Sequence, residues 1–295
     1  MNKFTIFALF ALSILQPTTG FGQTPLTAAE INTAEFSESL PEGVSAVTTK
    51  LRVVLDRAGS NPGVIDGVAG ENVTKAIRGY EELLGLLPQG VMNMELWQRL
   101  QSPAPVTIIY TIAPADLDKM VDSIPSDYAE MAKMQWLGYT TGAEAIAEKF
   151  HMDKDFLISR NPTASFTVGE PVVVVDPGES PNIVVDHIIA DKMNRRLVIY
   201  GENGKPAIIY PATIGSDATP SPQGNHEVKG VALFPTYAYN PDINFKQGEN
   251  SEKLTIPAGP NGPVGSIWID LTEPTYGIHG TPEPSKISKT SSHGC

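Results

Sequence analysis

A single cysteine, Cys295, closes the run Ser292-His293-Gly294-Cys295, and His279 stands sixteen residues earlier in Tyr276-Gly277-Ile278-His279-Gly280-Thr281. A thiol becomes a useful nucleophile when an imidazole takes its proton, and the imidazole itself needs an acceptor that orients it. Two histidines are candidates. His293 has difficulty turning its ring onto the thiol if Gly294 makes a tight bend, whereas His279 can reach it from a neighbouring strand. Gly294 also lets backbone N–H groups face a forming oxyanion, the electrostatic contribution that acyl transfer most needs. The rival chemistry is zinc binding by His279, His293 and Cys295, but no further His or Cys is placed to complete such a site.

The compartment decides how a lone thiol is read. Met1-Asn2-Lys3, an apolar run from Phe4 to Leu15 and the small residues Gly20 and Gly22 have the three parts of a secretory signal over residues 1–22. The run is shorter than the ~20 apolar residues that span a bilayer, and no later stretch is long and apolar enough. The mature protein is expected outside the cytoplasm, with no membrane association after cleavage. Spare thiols are converted to disulfides in oxidising compartments, so an unpaired one calls for a purpose. The net charge of −12, from 21 Lys+Arg against 33 Asp+Glu, disfavours nucleic acid as a partner.

The elements that must position these residues follow from composition and period. With 41% apolar and 18% charged residues the chain can bury a core, and 26 Gly with 25 Pro imply many turns between short elements. Residues 23–42 are polar and read as a mobile leader. Over 44–101 the period is helical: Val47, Leu51, Val54 and Leu55 share a face, Ala76, Ile77, Tyr80, Leu83 and Leu84 another, and Trp97 with Leu100 close a third, short helix. Ser102-Pro103-Ala104-Pro105 reads as a linker. A strand over 106–112, helical segments including 143–150, and a strand around Val172-Val173-Val174 make a β-α-α-β unit over 106–176. His151, beside Met152, reads as a helix-terminal or packed histidine. After a second linker, 176–182, hairpins follow: 183–190, 197–200, 207–214, then 226–233 and 266–271. The expected class is multidomain α+β, with a small three-helix module, a small β-α-α-β module and a mostly β domain over 183–295.

Pro62-Gly63-Val64-Ile65-Asp66-Gly67, Thr74 and Trp97-x-x-Leu100 resemble the peptidoglycan-binding-domain-1-like modules. The 106–176 order, with Asn161-Pro162 after its second helix, resembles a LysM module, although Thr141-Gly142-Ala143-Glu144 replaces the usual Gly-Asp. His279-Gly280, Ser292-His293-Gly294-Cys295, Ile214-Gly215-Ser216, Thr219-Pro220-Ser221-Pro222-x-Gly224, the loop from Gly259 to Gly265 and Trp268-Ile269 together resemble the YkuD family of L,D-transpeptidases.

That resemblance implies an exported, periplasmic or wall-associated enzyme that cross-links peptidoglycan without a cofactor or metal. Its partners would be peptidoglycan stem peptides and glycan. It makes Cys295 the nucleophile and His279 the general base; Ser292, His293 and Gly294 shape the site and its oxyanion hole, and Gly280, Thr281, Ser221 and Pro222 face substrate. Water in place of the acceptor amine would give an L,D-carboxypeptidase, which the same residues allow. The family continues past its cysteine with a small residue, an arginine and further elements. A chain ending at Cys295 therefore reads as an incomplete catalytic domain, inactive or very weakly active, and in that form a non-catalytic peptidoglycan-binding protein.

Overall fold

The computed structural model describes residues 26–215, 220–243 and 245–290. The signal-like segment 1–22, Ser216, Thr219 and the run 292–295 lie outside these residues.

Three helices build the first unit: α2 (Ala46–Arg57), α3 (Glu71–Leu83) and α4 (Met94–Leu100). Ser45 and Asn93 cap α2 and α4 by accepting hydrogen bonds from Thr48 N and Leu96 N, which satisfies amides the helix cannot. Leu51, Val54 and Leu55 are buried with Ile77, Tyr80, Trp97 and Leu100, as the helical period requires. Arg52 is buried too, and its guanidinium donates to the carbonyls of Pro62, Val64 and Val68. That side chain folds the glycine-rich loop back over α2.

The polar leader is a correction. Residues 28–33 form helix α1 (Ala28–Thr33), opened by a capping box between Thr27 and Glu30. Ile31 and Phe36 are buried, with the Phe36 ring 6.0 Å from Trp97. Asn32 accepts hydrogen bonds from Val106 N and Thr107 N, so the segment is fastened to the next unit.

That next unit pairs β1 (Thr107–Thr111) antiparallel with β2 (Pro171–Val175) against α6 (Gly142–Lys149) and α7 (Lys154–Arg160), while the short α5 (Tyr128–Met131), which follows β1 in the chain, packs in a separate small core. The two units share one hydrophobic core that runs from Ile31 to Val175. The linkers between units are held rather than free. Arg57 donates to the carbonyls of Ala104, Pro105 and Asp176 and pairs with the Asp176 carboxylate at 3.1 Å, gripping both proline-rich stretches at once.

Beyond residue 183 the chain is mostly β. Strands β3 (Val185–Asp191), β4 (Arg196–Gly201) and β5 (Pro206–Pro211) form an antiparallel meander. Strand β6 (Val228–Leu233) pairs with β9 (Ile267–Leu271), which pairs with β10 (Gly277–His279), and β7 (Tyr237–Tyr239) pairs with β8 (Leu254–Ile256). β5 ends at Pro211, short of the expected 214, because the chain leaves the sheet toward Ser221.

The β region is sewn to the helices. Asn61 N donates to Ile209 O at 2.9 Å and Ile209 N to Gly59 O at 2.7 Å, adding a short bridge to the edge of β5. Arg196 pairs with Glu82 at 2.8 Å and Asp191 at 3.0 Å. Gly79 allows α3 to approach: a Cβ there would lie 2.4 Å from Ser60 Oγ and 3.3 Å from Ile209 Cδ1. A second, small core joins Tyr239 and Ile256 to Leu137, Tyr128 and Met131. Among the described residues no helix is long and apolar enough to cross a membrane.

Candidate active site

His279 ends β10, directly opposite Trp268 of β9. The two rings stack at 5.4 Å with 16° between planes. Gly277, two residues earlier on the same face, makes room for the indole, since a Cβ there would lie 2.5 Å from its ring atoms. His279 Nδ1 lies 2.6 Å from the carbonyl oxygen of Gly280. A carbonyl can only accept, so Nδ1 carries the proton and Nε2 keeps its lone pair. Burial pushes the imidazole below its ordinary pKa, against the opposing pull of the Gly280 hydrogen bond. The ring is thus fixed, neutral and of the tautomer that a general base requires.

The residues around it are placed by close backbone packing. Gly280 N donates to Ile267 O at 3.1 Å, continuing the β9–β10 ladder. Gly265 has φ +62°, and a Cβ on it would meet Thr281 N at 2.6 Å. Gly259 sits at φ +148°, where a Cβ would fall 2.2 Å from Leu137 O. Leu137 N donates to Ala258 O, Asn261 N to Leu137 O, and Asn261 Nδ2 to Gly138 O and to Glu144. The loop from Gly259 to Gly265 is therefore clamped between the β-α-α-β unit and the His279 strand.

Of the residues expected to face substrate, two have their side-chain oxygens engaged locally. Thr281 Oγ1 accepts from Glu283 N at 3.1 Å, and Ser221 Oγ accepts from Gly215 N at 2.9 Å. Lys192 Nζ donates to Ser221 O, and Tyr276 Oη donates to Pro220 O at 3.2 Å, so the segment carrying Ser221 and Pro222 is drawn toward the start of β10. Cys295, Gly294, His293 and Ser292 lie outside the described residues.

A cleft opens beside Pro282 and Glu283, walled on the other side by Glu144, Glu148 and Asp153. Burial holds the Glu148 carboxyl above the usual range although Tyr139 hydrogen-bonds to it. His151, read as terminal or packed, stands just past the end of α6 at φ +55°, and its Nδ1 lies 2.7 Å from Asp56 of α2. It takes no part in this site.

Trp268 and the Gly280 carbonyl are the partners of His279 that residue type alone did not single out. Trp268 needs strand register, and a carbonyl carries no signature in sequence.

The comparisons with known proteins fall on the same region. Residues 185–295 match the family model described as the YkuD L,D-transpeptidase catalytic domain. The YkuD protein of Bacillus subtilis, assigned as an L,D-transpeptidase, is 28% identical over 153 residues, covering 51% of this chain and 77% of its own length. Its namesake in Bacillus licheniformis is 26% identical over 155 residues, 52% of this chain and 78% of that one. A protein from the ATP synthase subunits region of Fuscovulum blasticum, with the same assignment, is 27% identical over 108 residues, 37% of this chain and 56% of its own. The two Bacillus matches are longer than the stretch 185–295, so that similarity reaches upstream of it. It is the mostly β C-terminal region, carrying the half-buried, carbonyl-tethered His279, that matches the L,D-transpeptidase catalytic domain.

Proposed function

We propose that the protein is an exported L,D-transpeptidase that cross-links peptidoglycan through a thioester on Cys295. The observation that carries this reading is the half-buried His279 imidazole, whose Nδ1 is spent on the Gly280 carbonyl and whose pKa is lowered by desolvation, so that Nε2 is the nitrogen with the lone pair and has no partner among the described residues. In the first half-reaction Nε2 takes the thiol proton of Cys295. The thiolate then attacks the carbonyl of the third, diamino-acid residue of a tetrapeptide stem. The C–N bond to the terminal D-alanine breaks, and the imidazolium returns its proton to that leaving amine. In the second, an acceptor amine attacks the thioester, His279 takes its proton, and the sulfur leaves and is reprotonated. The amides of Gly294 and Cys295 would stabilise both tetrahedral intermediates, with Ser292 and His293 shaping the loop that presents them. The units at 44–101 and 106–176 would keep the enzyme on its polymeric substrate in the periplasm or wall.

The test is muropeptide mass spectrometry with the protein expressed from its complete gene. Loss of D-alanine with new cross-links is expected, and His279→Ala should lower kcat/KM by about 10²–10⁴-fold, as removal of a general base does. Neither product appearing from the unmutated protein would sink the proposal. Because burial depresses the His279 pKa, the base stays neutral below the ordinary histidine value of about 6.5. The acid limb of kcat/KM should therefore lie below that pH, with activity lost only as pH falls through the lowered pKa.

A further inference from the structure

The segment that runs from His279 toward Cys295 is anchored by the helical unit rather than by the β region alone. Asn72 and Lys75, in the first turns of α3 and three residues apart, lie on one helix face. Asn72 Nδ2 donates to Ile287 O at 3.3 Å, and Lys75 Nζ donates to Ser288 Oγ at 2.9 Å. Ser288 is 1% exposed and holds φ +65°, a conformation that a non-glycine residue keeps only when its surroundings over-determine it. They do so here from a third side as well. Ser288 N donates to Thr213 Oγ1 at 3.0 Å, Ser288 Oγ to Arg195 O at 3.4 Å, and Arg195 Nη1 to Ser288 O at 3.5 Å. Thr213 stands two residues before Gly215, whose amide holds the Ser221 loop. One buried serine thus joins α3, the β4–β5 region and the segment leading to the nucleophile.

We infer that Asn72 and Lys75 are positioning residues for Cys295, fixing the chain at a point seven residues before it in sequence. The inference rests on the proposed role of Cys295. It gives the helical unit an intramolecular task, distinct from any hold on the wall. Positioning errors of about 1 Å cost up to 10²-fold in rate, so loss of one anchor should cost about tenfold.

The experiment is alkylation of Cys295 by iodoacetamide in the protein from its gene, with the modified residue followed by peptide mass spectrometry. It is run in parallel with acylation by a carbapenem, resolved into a maximal rate and a half-saturating concentration. Lys75→Met and Asn72→Ala should each slow alkylation about tenfold and lower the maximal acylation rate while leaving half-saturation unchanged. Lys75→Arg, which keeps the donor, should restore both. Asn72→Ala removes no charge, so slowing by Lys75→Met alone would mean long-range electrostatics and overturn the inference. Equal alkylation rates in all variants would overturn it too, as would failure of Lys75→Arg to rescue. Absence of any acyl adduct on the unmutated protein, with alkylation still sensitive to both variants, would overturn the enzymatic reading and leave the positioning role standing.

Discussion

The region before residue 176 and the region after 183 bury their apolar side chains in different ways. In the first, one cluster runs through three helices, the leader helix and both β-α-α-β strands, with Leu51, Leu55, Ile65 and Ile146 fully enclosed. In the second, β6 is exposed at every position, Leu233 at 73% and Val231 at 60%, and β3 is largely exposed. Its buried residues gather where something from the first region covers them: Ile209 beneath Gly79 of α3, and Tyr239 and Ile256 against Leu137 and Tyr128. Stability is concentrated in one region and the proposed chemistry in the other. The strand that carries His279 owes part of its order to elements far upstream.

Substitutions on the two sides should separate by magnitude. Trp97→Ala empties the centre of the first core, where the indole is 1% exposed and donates to Glu35. It should cost about 3–5 kcal/mol in denaturant unfolding of the whole chain. Gly79→Val forces a side chain against Ser60 and Ile209 at the junction and should cost about 1–3 kcal/mol, with faster amide exchange at Ile209 than at Leu51. Uniform acceleration would mean the regions are not joined there. His151 is a smaller lever. Its hydrogen bond to Asp56 raises the imidazole pKa despite burial, and Asp56 is also held by Asn61 and faces Tyr210. A raised folded pKa stabilises fully below the unfolded value of about 6.5 and loses that contribution as pH rises through the folded one. With the ring half exposed, the gap between the parent and His151→Gln should stay under about 1 kcal/mol, and melting curves should converge at alkaline pH. Smallest of all, Leu233→Thr should change stability by no more than about 0.5 kcal/mol. A loss approaching that of Trp97→Ala would erase the contrast.

Much of this architecture could be read from period alone. Val54, Leu51 and Leu55 recur at helical spacing and are buried together, and Trp97 with Leu100 closes the bundle. The leader helix was missed because it carries one large apolar residue within its span, although Thr27-Ala28-Ala29-Glu30 has the spacing of a capping box and was the signal available. His279 stood out by residue type. Its stacking on Trp268 did not, because register between strands separated by a loop is invisible in a linear pattern. Ser288 illustrates the harder limit: an ordinary serine in a polar stretch becomes a buried anchor through Lys75, more than two hundred residues away in sequence, while Asn72 holds the carbonyl of the preceding Ile287. Ser221, expected to face substrate, accepts a hydrogen bond from Gly215 N, since loops use polar side chains to satisfy their own amides.

Arg57 gives the module boundaries a meaning of their own. A single guanidinium spans Ala104, Pro105 and Asp176, so the two places where the chain would most naturally be cut and rejoined between genes are contacts of one residue in the first unit. A recombination event that imported either neighbour without a matching arginine would leave three carbonyls and a carboxylate without that partner. Exchange of units in such proteins should then favour inheriting 44–176 as a block, whatever the boundaries that proline-rich sequence suggests.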